Sequence, residues 1–102
     1  VSDLHKIINS INQFRDQRNW RHFHNPKDLA ISISIEAAEL LEDFQWKDSE
    51  TALESNKGNI QEEIADVLIY SLMLCSDLKL DVEEIIEAKL KKNGEKYPSK
   101  TE

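Results

Sequence analysis

Glycine and proline number only two each in this chain of 102 residues. That leaves little punctuation for the many short strands and tight turns of an all-β domain. A single cysteine, Cys75, excludes an intramolecular disulfide and leaves nothing from which to build a zinc–thiolate cluster. It lies in the apolar stretch 72–78 and reads as a small core hydrophobe. Positive charge is scarce as well: 13 Lys and Arg face 20 Asp and Glu, for a formal net charge of −7. A protein that coats a nucleic acid polymer would want a basic face, so that class is set aside. A small nucleotide whose charge is neutralised by bound metal is not excluded. No apolar run approaches transmembrane length, and the N-terminus has no apolar core segment of a signal peptide. The expectation is one domain over residues 1–102, soluble, cytoplasmic and without a membrane partner.

Ile, Leu, Glu, Lys and Ala are abundant, which favours helices. Leu4, Ile7, Ile8, Ile11 and Phe14 recur at helical spacing and predict a first amphipathic helix over 3–19. Arg15, Arg18 and Arg21 close it and lead into a polar, aromatic stretch, 20–25. Asn25-Pro26 reads as N-cap plus first helical position of a second helix, 26–46. Residues 48–58 are polar and irregular, with room for one short helical turn. A third helix spans 59–78. Asp81 caps a fourth, with Glu84 three residues on, and Asn93-Gly94 marks its end. The fold class is all-α: four main helices in a bundle. The third helix is apolar on nearly every side between 64 and 75, more than three short helices can cover, so an oligomer is expected.

Within this pattern stand two acidic pairs, Glu36-x-x-Glu39 and Glu63-x-x-Asp66. Residues three apart on a helix lie about 60° apart around its axis, so each pair presents both carboxylates from one face. A solvated helix face is the ordinary setting for such a pair. Here the first pair lies in a sector flanked by Ile33, Ile35, Leu40 and Trp46, and the second shares a face with Tyr70, Val67 and Leu74. Four carboxylates in such surroundings are costly without a compensating cation. An all-oxygen set suits Mg²⁺, with Mn²⁺ as a substitute. On the fourth helix Val82, Ile85 and Ile86 form an inward stripe that Lys89 and Asn93 continue, with Lys96 following. A helix emerging into solvent would look the same, but beside a metal cluster these groups suit phosphate.

Taken in order, these residues resemble the MazG-type, all-α nucleoside triphosphate pyrophosphohydrolases. The surroundings resemble the dCTP pyrophosphatase branch: Trp20-Arg21-His22-Phe23-His24-Asn25-Pro26-Lys27, the run from Glu36 to Phe44-Gln45-Trp46, Asp66-Val67-Leu68-Ile69-Tyr70, and Lys89-x-x-x-Asn93-x-x-Lys96-Tyr97-Pro98. The resemblance covers most of the chain, and none of the four acidic positions departs from it. It implies a helical bundle binding Mg²⁺ through Glu36, Glu39, Glu63 and Asp66. Its reaction would split a nucleoside triphosphate between the α- and β-phosphates into a monophosphate and pyrophosphate. Glu36 would orient or deprotonate the water. Lys89, Asn93 and Lys96 would hold the outer phosphates. Trp20, Trp46 and Tyr70 would stack around the base, with a polar contact from His24. The family assembles as dimers, or tetramers built as dimers of dimers, often with substrate touched by two subunits. The resemblance thus implies a house-cleaning or pool-regulating enzyme with dCTP among its better substrates. The all-α dUTPases and phosphoribosyl-ATP pyrophosphohydrolase are near alternatives.

Two rivals come from other classes. A di-iron carboxylate bundle needs Glu-x-x-His motifs, and none of His5, His22 and His24 lies three residues after a glutamate. A non-catalytic helical interaction module, its acids turned to solvent or to a basic partner, would bind no Mg²⁺ and hydrolyse nothing.

Overall fold

The computed structural model describes residues 3–99. Five α-helices follow one another: α1 (Asp3–Gln17), α2 (Pro26–Glu42), α3 (Ser49–Ser55), α4 (Lys57–Asp77) and α5 (Val82–Lys96). One turn of 3₁₀-helix, Arg21–Phe23, lies between α1 and α2.

Local chemistry sets most of the boundaries. The Asn25 side chain accepts from the Asp28 backbone N–H at 2.9 Å, and Pro26 occupies the first helical position of α2. Asp48 caps α3 through the Thr51 N–H, and Asp81 caps α5 through the Glu84 N–H. α1 and α4 end alike. The Trp20 N–H donates to the Arg15 carbonyl and the Asn19 N–H to that of Asp16, with Asn19 left-handed at φ 55°. Leu80 and Lys79 repeat the pattern on Cys75 and Ser76, with Lys79 at φ 58°.

Two helix ends differ from expectation. α2 stops at Glu42 rather than 46. The chain continues in tight turns, Phe44 N–H to Leu41 carbonyl and Gln45 N–H to Glu42 carbonyl, until Trp46 turns left-handed at φ 66°. α5 runs through Gly94 to Lys96. Pro98 ends it, because a residue before proline is pushed out of the helical region; Tyr97 already stands at ψ 78°. The short helical turn allowed in 48–58 is a full helix, α3.

α4 is the central element, packed chiefly along α2 and also touching α1 and α3. Leu29, Ala52, Ile60 and Met73 are the buried apolar residues of this junction. The Asn56 side chain donates to the Asp43 carbonyl at 2.7 Å and ties the end of α2 to the α3–α4 junction. α5 makes only slight contact with the rest. Its stripe is therefore not inward within the single chain: Val82 is half-buried, but Ile85 is 39% and Ile86 51% exposed. Leu68 on α4 is 56% exposed. The radius of gyration is 16.6 Å, against about 13 Å for a closed domain of this length. The chain does not close around its own apolar surface. Cys75 is only half-buried, short of the core position its sequence setting suggests.

Candidate active site

The register of α2 against α4 brings the acids together. Oxygens of Glu36, Glu39 and Glu63 all lie within 4.8 Å of one another, and all three side chains are half-buried. Asp66 joins from the next turn of α4, and both Glu39 and Asp66 act on the Glu36 carboxyl. Burial first, then Glu39 and then Asp66, push the Glu36 carboxyl up to about 7. Burial raises Glu63 too, with Glu39, Asp43, Asp66 and Glu62 adding repulsion. Acids this close, partly out of water, favour keeping a proton among them.

Beside the acids, a cleft of about 420 Å³ opens between α1 and α4. Phe14, Trp20, Ile69, Tyr70 and Met73 line it, and Asp66 belongs to its wall, so cleft and cluster adjoin. Tyr70 keeps its proton firmly: burial raises the phenol, then Glu36, Asp66 and Glu39. An aromatic-walled cleft meeting a carboxylate cluster can hold a flat ring at one end and a cation-neutralised anion at the other.

The remaining expected residues stand apart from this core. His24 is behind Trp20 and not on the cleft wall, its ring edge-on to the indole at 6.3 Å. Trp46 is 91% exposed. Lys89 and Lys96 are exposed and Asn93 half-buried along α5, which is not packed onto the α2–α4 pair. Lys96 lies 5.3 Å from the Tyr97 ring.

Sequence reasoning misses Arg15. It reads as part of a basic helix end, yet it is fully buried, with a short ion pair to Asp77. The signal is present: Arg15 follows Ile11 by four and Ile8 by seven, on the apolar stripe of α1.

The MazG-like family matches over residues 31–102. The chain belongs to the MazG-like family. The matched span carries all four acids, Trp46, Tyr70, Lys89, Asn93 and Lys96, while Trp20 and His24 precede it. Among curated relatives, dCTP pyrophosphatase 1 of Mus musculus is 34% identical over 91 residues, covering 84% of this chain and 54% of that protein. The Homo sapiens protein of the same name is 34% identical over 92 residues, covering 85% and 54%. The chain thus spans about half the length of these MazG-type relatives. A crystal structure of a pyrophosphatase from Archaeoglobus fulgidus DSM 4304 matches with a TM-score of 0.91 and 46% identity, over 97% of this chain and 95% of that one.

Proposed function

We propose that the chain is a divalent-metal-dependent nucleoside triphosphate pyrophosphohydrolase that cleaves the α–β phosphoanhydride and releases a nucleoside monophosphate and pyrophosphate. The observation that carries this reading is the meeting of Glu36, Glu39 and Glu63 within 4.8 Å on the α2–α4 face, beside an aromatic cleft. The family relationship and the pyrophosphatase relatives support the same reaction class.

The donor set fits Mg²⁺ or Mn²⁺: it is all oxygen, and burial first, then the neighbouring acids, raise the Glu36 carboxyl, as expected of a site suited to a cation. Glu36, Glu39, Glu63 and Asp66 would hold the ion. When bound, it would neutralise phosphate charge and lower the pKa of water, which phosphoryl transfer needs more than covalent help.

The chain's own groups do the rest. Glu36 orients or deprotonates the attacking water. Trp20 and Tyr70 receive the base in the cleft; Trp46 stacks on it from outside the cleft wall, and His24 backs Trp20. Stacking on aromatics tolerates several bases, so preference is moderate, with dCTP among the better substrates. Lys89, Asn93 and Lys96 take the outer phosphates.

Those α5 groups and Trp46 reach a base and phosphates most naturally across a subunit boundary. The exposed Leu68, Ile85 and Ile86 support a homodimer, or a tetramer built from two dimers. Trp46, left-handed and 91% exposed, offers its indole to a ligand or a second copy rather than to its own core. No helix among the described residues is long and apolar enough to cross a membrane.

The test is a panel of dNTPs with Mg²⁺ and a pyrophosphate readout, run beside Glu39→Ala. Turnover that needs the metal and collapses in the variant supports the site. Metal-independent turnover, or none with any nucleotide, removes it and leaves a helical interaction module.

A further inference from the structure

We propose that Arg15 is a positioning residue for the aromatic cleft: it locks His24 as the Nε2–H tautomer and through it fixes the ring of Trp20. The inference rests on the proposed nucleotide site, whose cleft Trp20 walls.

Arg15 is fully buried, and its five N–H groups are all engaged. Nε and Nη2 donate to Asn12 Oδ1 at 3.1 and 2.8 Å. Nη1 and Nη2 donate to the two Asp77 oxygens at 3.0 and 2.5 Å. Asn12 in turn donates to Ser76 Oγ at 2.9 Å, so α1 and α4 clamp the guanidinium between them. The remaining N–H, on Nη1, points at His24 Nδ1 at 3.3 Å.

A guanidinium only donates, and it stays charged. Nδ1 must therefore present its lone pair, which leaves the neutral ring with its proton on Nε2. The charged groups facing His24 are Arg15, Asp77 and Asp28, and burial together with Arg15 lowers its pKa against the two acids. The locked ring meets Trp20 edge-on at 69°, and Trp20 meets Phe14 edge-on at 5.5 Å. Arg15 also takes the Trp20 N–H on its own carbonyl at 2.9 Å. Trp20 lies outside any α-helix, after left-handed Asn19, so its ring is placed by side-chain contacts, those with His24 and Phe14 among them. A preset aromatic wall spares substrate the ordering of that side chain.

Breaking the buried pair on one side risks unfolding, so the decisive variant is Arg15→Met/Asp77→Leu, which removes both charges and keeps the volume apolar. Three quantities are read: KM and kcat for dCTP with Mg²⁺, Mn²⁺ affinity, and the His24 tautomer by ¹⁵N NMR of the imidazole, assigned with His24→Gln. In a folded double variant the expected result is a KM raised on the order of tenfold, kcat within about twofold and metal affinity unchanged. The His24 resonances should pass from a single Nε2–H form to a mixture. A double variant with wild-type KM overturns the inference. So does a loss of KM, kcat and metal affinity in proportion to a fall in melting temperature, which marks a structural role alone. The wild-type NMR experiment needs no activity. A tautomer mixture there overturns the lock, whereas a wild type that turns over no dNTP, with the lock intact, faults the proposed reaction instead.

Discussion

Replacing Arg15 by Met should be among the most damaging single changes outside the acid cluster. The side chain is wholly buried, and its loss strips Asp77, Asn12 and His24 of their donors together. Removing one partner of a buried ion pair costs about 3–5 kcal/mol, chiefly because the other charge is left uncompensated. Asp77 keeps 22% of its side-chain surface exposed, so water relieves part of that penalty. The lower end, about 3 kcal/mol, is therefore expected, out of a total of roughly 5–15 kcal/mol for a domain. At about 4–8 °C per kcal/mol for a chain near this size, the melting temperature should fall by roughly 12–24 °C. Thermal denaturation followed by far-UV circular dichroism at fixed protein concentration measures it. Adding Asp77→Leu should recover most of the loss, since two apolar groups replace a pair whose desolvation was itself expensive. A fall below about 4 °C in Arg15→Met, or no recovery in the double variant, would refute the reading of this pair as a buried structural charge network.

Glu39→Ala and Asp66→Ala should each lower turnover on the order of 10²-fold or more, measured as pyrophosphate released; near-wild-type rates would sink the ligand assignment. Asp66→Asn relieves repulsion on Glu36, so it should abolish activity while holding or raising the melting temperature of the metal-free protein; a clear drop would make Asp66 structural. The metal-free protein should lose stability as pH rises from 4.5 to about 7, because the folded state holds the Glu36 proton more tightly than the unfolded state does. Mg²⁺ should oppose that loss, stabilising more at pH 8 than at pH 6 in thermal shift experiments, since protons compete with metal for the same oxygens. Trp46→Ala should raise KM for dNTPs strongly with Mg²⁺ binding intact; an unchanged KM removes Trp46 from the base site.

The features readable from sequence are those decided by neighbours along the chain. Asn25-Pro26 and Asp81 announce helix starts because capping is settled within three residues. The acid pairs are legible as a cluster because carboxylates at helical spacing share one face of each helix, and the α2–α4 contact then brings Glu36, Glu39 and Glu63 together. What is not legible depends on partners distant in sequence or absent from the chain. Phe44 and Trp46 extend the apolar pattern of α2, so nothing local shows the turns that end it at Glu42. Val82, Ile85 and Ile86 spell an inward face, yet only Val82 is half-buried; the pattern specifies burial, not which surface supplies it. Arg15 carries a charge, and charge ordinarily means exposure, although its register on the α1 stripe places it inside and Asp77 meets it from α4.

The most direct measurement of the central claim is the identity of the products. dCTP is incubated with the protein and Mg²⁺, and the reaction is followed by ³¹P NMR to completion. The account predicts dCMP and pyrophosphate in equal amounts, and no reaction once the metal is chelated. Formation of dCDP and orthophosphate, or hydrolysis that continues in the chelator, would contradict it.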